Sequence, residues 1–263
     1  MSQEIDRFIE IIARLRGPGG CPWDREQTHK SILNCLLDET YEFFEAAERD
    51  NDEKMKEELG DLLLQVVLHA QIASEREAFT IDDVARGINE KIIRRHPHVF
   101  GNTKVSSTGE VLNNWEEIKR KEKGMEDRKY IVDGVPEALP ALFRAEKVQR
   151  RVARVGFDWA DLKPVLDKVE EEFGEFRESL EKGDQDNAME ELGDILFALV
   201  NVARHNKICA EDALRMTVKK FIKRFRYIED KYTGLGKDIR QAPLEEMDCF
   251  WEESKKAVKS TPE

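Results

Sequence analysis

The chain has 263 residues, 40% of them hydrophobic and 37% charged, with a formal net charge of −12. That length can bury the core of one large or two small domains, and its richness in Glu, Lys, Leu and Ala favours amphipathic helices over sheets. The acidic balance argues against binding to a nucleic-acid backbone, yet it admits a small phosphorylated ligand escorted by a divalent cation that reverses the local charge.

The first residues, MSQEIDRFIEII, hold no long apolar run, and no stretch anywhere approaches the roughly 18 apolar residues of a membrane span. Neither a signal peptide nor a membrane partner is therefore expected, and a cytoplasmic location is. Cys21, Cys35, Cys209 and Cys249 form no CxxC pair, which favours reduced thiols over a disulfide framework or a thiolate zinc site. Apolar residues three and four apart predict helices over 5–15, 32–48, 53–74, 81–95 and 110–122. The same spacing predicts helices over 139–153, 163–181, 185–206, 210–232 and 243–257, and no strand alternation competes. Breakers separate them: GPGG at 17–20, DND at 50–52, HPHVFGN at 96–102 and KGDQD at 182–186. Asn51 or Asp52, and Asp184 or Asp186, are candidate N-caps. His96-Pro97-His98 reads as a helix end stopped by Pro97 and not as a metal site. The charged, weakly periodic segment 123–137 reads as a linker between domains 1–122 and 138–263.

Those two domains carry one unit written twice. Glu39, Glu42, Glu58 and Asp61 recur as Glu172, Glu175, Glu191 and Asp194, at a constant offset of 133 positions. A Trp-Asp cluster precedes each copy (CPWD at 21–24, GFDW at 156–159). A basic helix follows each, and then a Trp before acids and Lys: NWEEIK at 114–119 and FWEESK at 250–255. Residues three apart share a helix face, so Glu39 with Glu42 and Glu58 with Asp61 form pairs that a hairpin turn at 50–52 folds together. The second copy pairs Glu172 and Glu175 with Glu191 and Asp194 in the same way. Taken alone, an ExxE on a helix is usually a solvated face. Here the acids are embedded in apolar sequence (LGDLLLQVV and LGDILFALV), where a carboxylate needs a partner. A hard divalent cation held by oxygen, Mg²⁺ or Mn²⁺ in place of zinc, meets that need and points to phosphate chemistry. Gly60 and Gly193, just before the aspartates, predict close backbone approach there, since glycine costs about 1 kcal/mol in a helix interior.

A triphosphate also needs cations from the protein. Lys220 and Arg224, with Lys91 and Arg95 as counterparts in the first copy, are candidates, though a basic stripe near a helix C-terminus is also favoured on its own account. Lys168 can reach a phosphate or pair with Glu172, four residues on. Trp251 and Trp115 can stack on a base or fill a core.

DETYEFFEA with KEELGDLLLQVV, and EEEFGEF with MEELGDILFALVNVAR, resemble the MazG family of all-α nucleotide pyrophosphohydrolases. The flanking GCPWD, RRHPHVF, VGFDW and KFIKRF segments extend the likeness over nearly the whole chain. The resemblance implies an all-α fold of two tandem helical-bundle repeats and a homodimer. It implies Mg²⁺-dependent hydrolysis of ribo- and deoxynucleoside triphosphates to the monophosphate and pyrophosphate, with Mn²⁺ as a possible substitute. It places catalysis in the C-terminal repeat, with Glu172, Glu175, Glu191 and Asp194 as metal ligands and Lys168, Glu171, Glu190, Lys220, Arg224 and Trp251 lining the nucleotide. Glu171 or Glu190 would orient the attacking water, and nothing in the sequence chooses between them. One departure falls on this set: Asn187 stands where the family often has Lys, a residue the first copy keeps as Lys54. Rival readings are a helical interaction protein with structural metal, and a narrow-specificity dUTP or phosphoribosyl-ATP pyrophosphohydrolase.

Overall fold

A computed structural model describes residues 3–120, 122 and 129–257. The described residues are helical and loop, with no strand, and divide into two compact units, Met1–Met125 and Glu126–Glu263. The fold is all-α and consists of two tandem helical-bundle repeats. Part of the expected linker, 123–128, lies outside the described residues.

The first unit comprises α1 (Gln3–Arg16), α2 (Pro22–Glu26), α3 (Leu33–Glu48), α4 (Asp52–Ser74), α5 (Ile81–Arg95), α6 (Pro97–Phe100) and α7 (Thr108–Arg120). Its centre is the α3–α4 hairpin, with α1 and α5 packed against α4. Ile12, Ile32, Val67, Leu68 and Ile72 form its buried core, and Phe8, Ile9, Leu64 and Ile81 pack around them. The two short helices were not expected from the sequence. Each begins with a proline, which fits a first helical turn because its missing N–H has no partner to lose there. Gly20 is needed in the α1–α2 turn: a Cβ there would collide with the Leu15 carbonyl oxygen. Buried Arg16 then ties the turn down. It donates to both carboxylate oxygens of Glu75, at 2.7 and 2.8 Å, and to the carbonyl of Gln27 at 3.2 Å.

The second unit comprises α8 (Ala141–Ala153), α9 (Leu162–Lys182), α10 (Gln185–His205), α11 (Ala210–Gly234), a short 3₁₀ turn (Ile239–Gln241) and α12 (Leu244–Ala257). The α9–α10 hairpin is its centre; α8 packs on α10, and α12 on α11. The two central hairpins turn alike. Asn51 caps α4 by accepting from the Lys54 N–H at 3.1 Å, and Asp184 caps α10 by accepting from the Asn187 N–H at 3.1 Å. The residue before each cap is left-handed: Asp50 with φ 48° in the first unit, Gly183 with φ 69° in the second.

Candidate metal centre

Each hairpin brings carboxylates from both of its helices together. In the second unit, one oxygen each from Glu172, Glu175 and Glu191 lie within 4.8 Å of one another. In the first unit the corresponding group is Glu39, Glu58 and Asp61. The sequence names four acids per copy, and each hairpin gathers three: Asp194 stays outside the second cluster and Glu42 outside the first. Glu58 and Glu172 are the buried members.

This crowding shows in the proton affinities. The carboxyl of Glu175 is pushed above the usual range, first by desolvation and then by the charges of Glu191 and Glu172. Glu39 is raised likewise, by desolvation and then by Asp61, Glu42 and Glu58. Acids held together at such a cost, offering only oxygen ligands, fit a hard divalent cation and not a thiolate or imidazole metal.

One lysine sits in each cluster, and the two come from different helices. Lys168, on α9, lies 2.7 Å from both Glu171 and Glu172. Its counterpart in α3 is Cys35. In the first unit Lys54, on α4, lies 2.8 Å from Glu58 and 3.1 Å from Glu57. Its counterpart in α10 is Asn187, which donates to Glu191 at 3.4 Å and also to Ser179. The loss of a lysine at position 187 is thus matched by the gain of one at 168. Both lysines are held protonated above the ordinary lysine range, Lys54 chiefly by Glu58 and Lys168 chiefly by Glu171.

The remaining predicted residues are less concentrated. Glu171 and Glu190 are exposed on α9 and α10, and among the described residues Glu190 has no ion pair. Lys220, exposed on α11, lies one turn before Arg224, whose guanidinium sits 5.7 Å from the centre of the Trp251 ring. The Arg224 Nε is buried without a hydrogen-bond partner among the described residues. In the first unit the matching Arg95 sits 5.3 Å over Trp115 but is also gripped by Glu122, with Nε to Oε1 at 2.9 Å. That contact, with help from Arg94, pulls the Glu122 carboxyl down to about 2.

One expectation fails. A Cβ added at Gly60 or Gly193 meets nothing within 4 Å, so these glycines do not mark a close backbone approach within the chain. They face open space on helix sides that also carry exposed leucines, and no element among the described residues covers those sides.

A pocket of about 380 Å³ in the second unit was not foreseen from the sequence. Lys168, Glu172 and Asp194 line it together with Phe157, Trp159 and Asn201. Asp158 on its wall is held by Arg204, with Nη1 to Oδ2 at 2.9 Å, and by His205 at 3.0 Å, which keeps its carboxyl below the usual range. One signal was available in the sequence: Asn201 interrupts an apolar helix stripe at the position where the first copy has Leu68.

Comparison with known proteins bears on what such a centre does. The family model described as the MazG nucleotide pyrophosphohydrolase domain matches twice, at residues 27–100 and 162–228. The chain is 45% identical over 251 residues to the "Nucleoside triphosphate pyrophosphohydrolase/pyrophosphatase MazG" of Thermotoga maritima, covering 95% of each. It is 44% identical over 256 residues to the "Nucleoside triphosphate pyrophosphohydrolase" of Escherichia coli K12, covering 96% of this chain and 97% of that one. Among solved structures, a mazG-related protein from Thermotoga maritima aligns with 44% of this chain and 99% of its own, at 32% identity and a TM-score of 0.39.

Proposed function

Because the chain belongs to the MazG family of nucleotide pyrophosphohydrolases, we propose that its second unit hydrolyses ribo- and deoxynucleoside triphosphates to monophosphate and pyrophosphate with Mg²⁺. The observation carrying this reading is the oxygen-only cluster of Glu172, Glu175 and Glu191, whose Glu172 lines a pocket together with Lys168 and Asp194. Bound Mg²⁺, with Mn²⁺ as substitute, would supply charge neutralisation and polarisation of the triphosphate oxygens. Glu172, Glu175, Glu191 and Asp194 would hold it. Lys168, Lys220 and Arg224 would neutralise phosphate oxygens, and Asn187 would donate to one from beside Glu191. The ring of Trp251 steadies Arg224 and contributes to the nucleotide side of the site. Either Glu171 or Glu190 would orient the water that attacks the α-phosphorus; the pairing of Glu171 with Lys168 favours Glu190. The experiment is product analysis with purified protein, Mg²⁺ and a panel of nucleotides. Release of orthophosphate and nucleoside diphosphate would show that the bond assigned here is wrong.

The same reading includes a homodimer, free of nucleic acid and membrane, acting in the cytoplasm. The dimer is supported by uncovered apolar stripes: Leu166, Phe173 and Leu180 at seven-residue spacing on α9, and Met189, Leu192, Leu196 and Leu199 on α10, each at least 44% exposed. No helix of the described residues is long and apolar enough to cross a membrane.

A further inference from the structure

The two units also differ around their basic helices. Arg95 matches Arg224, and each guanidinium lies against the Trp of its own unit, Trp115 or Trp251. In the second unit the Arg224 Nε is buried with no hydrogen-bond partner among the described residues. In the first unit a carboxylate of the same chain, Glu122, is seated on the matching arginine. Glu122 lies seven residues beyond Trp115, and seven residues beyond Trp251 the second copy has Val258. The acid is therefore particular to the first copy.

Glu122 is held as an anionic ligand would be. Arg95 donates from Nε to Oε1 at 2.9 Å and from Nη2 to Oε2, a two-pronged grip. Arg94 donates to Oε1 from Nε at 3.1 Å and from Nη2 at 2.8 Å. A guanidinium fork takes a carboxylate and a phosphate through the same pair of parallel bonds. Here one carboxylate divides two oxygens between two forks, where a phosphate group offers more oxygens and more charge. The Glu122 and Arg95 side chains are only 12% and 14% exposed, but Arg94 is 50% exposed, which leaves a side from which an anion can enter. Lys91 stands exposed one turn before Arg95. The Trp115 ring is already taken: Arg95 lies 5.3 Å from its centre, and His96 meets it edge-on at 4.8 Å. These surroundings suit phosphate groups and offer a base no free ring.

We propose that Glu122 is a latch on a polyphosphate site in the first unit: its carboxylate occupies the place on Arg94 and Arg95 that a phosphate takes when the latch opens. A tethered competitor is present at high effective concentration, so it lowers the apparent affinity of the site in proportion to the fraction of chains in which it is open. The first unit then binds polyphosphate only when that anion is abundant. This site lies wholly in the first unit and stands whether or not the second hydrolyses nucleotides.

The test is calorimetric titration of the full chain with inorganic triphosphate in the absence of divalent metal. Glu122→Gln should bind one more equivalent per chain than wild type, or bind it at least about tenfold tighter. Adding Arg94→Met and Arg95→Met to Glu122→Gln should abolish that gain. ATP should fill the same site with an affinity within about threefold of triphosphate, because no ring is free to stack on its base. A site that takes ATP and refuses triphosphate would be reading the base, against the latch. In wild type the ¹³C carboxyl signal of Glu122 should move on adding millimolar triphosphate, as the guanidiniums leave it, with helicity unchanged. That wild-type signal decides the matter if Glu122→Gln melts early. An unchanged count and affinity in a folded Glu122→Gln chain, or a Glu122 signal that triphosphate leaves in place, would mean a clip that only ties the chain to α5, and would overturn the proposal.

Discussion

Glu175 is an exposed carboxylate that nevertheless holds its proton more tightly than usual, first because its surroundings partly desolvate it and then because Glu191 and Glu172 crowd it. The sign of the stability effect follows. An acid whose folded pKa is raised contributes stability in its protonated form and loses it as pH rises through the folded value. Without metal, the ionised form of Glu175 therefore works against the fold. Glu175→Gln should leave the metal-free melting temperature unchanged or higher, erase the stabilisation by Mg²⁺, and lower turnover by more than about 100-fold, beyond the loss of an outer-shell partner. Calorimetry with and without Mg²⁺ checks this; a clear drop in metal-free stability would refute the crowding argument. At this scale the sequence was partly legible. The constant offset named all four acids of each copy, since identity and spacing are written in the chain. Which three converge depends on the rotation of one helix against another, and spacing along a single helix does not contain that. The transposed lysine was hidden for the same reason: Lys168 and Lys54 align with Cys35 and Asn187, and only packing shows that they do the same work.

The helical hairpin is the element that repeats, and its turn tests how far the two copies are equivalent. Both turns need a left-handed residue immediately before the N-cap. The second unit uses Gly183, which adopts that conformation freely; the first uses Asp50, whose side chain makes it costly. Asp50→Gly should leave the turn intact with a stability change of less than about 1 kcal/mol, strain relief offsetting chain entropy. Gly183→Ala should destabilise by about 1–2 kcal/mol. Urea unfolding of each variant measures both, and a Gly183→Ala chain as stable as wild type would rule out the turn geometry. Long helices and breakers were readable from periodicity and composition, with ends displaced by a residue or two, as where α7 runs Thr108–Arg120 against an expected 110–122. The short helices α2 and α6 were not, because four or five residues hold too little periodicity to register.

At the scale of the whole molecule, the apolar stripes of α9 and α10 stand uncovered among the described residues. A chain of 30.5 kDa with such stripes and a net charge of −12 is expected to self-associate through the stripes while its acidic remainder keeps it dispersed. Sedimentation equilibrium should give twice the chain mass, and Leu192→Glu with Leu196→Glu should give the single mass with helicity retained. A wild-type chain that sediments as a monomer at micromolar concentration would remove the dimer from the reading.

The lysines Lys54 and Lys168 have a consequence for how occupancy can be observed. Each is a counterion that the carboxylates hold until something stronger arrives, and a lysine held protonated is a poor nucleophile. A cation taking up the carboxylates should release both amines, so acylation by a small activated ester should accelerate at these two positions as Mg²⁺ is added. Lys163, paired with Asp167 on the same helix, should acylate at an unchanged rate and serve as an internal clock. Peptide mass spectrometry along a Mg²⁺ titration would then report the filling of each unit separately, in one sample of unaltered protein. Equal rates at all three lysines throughout would mean that the ion does not take the carboxylates from their lysines.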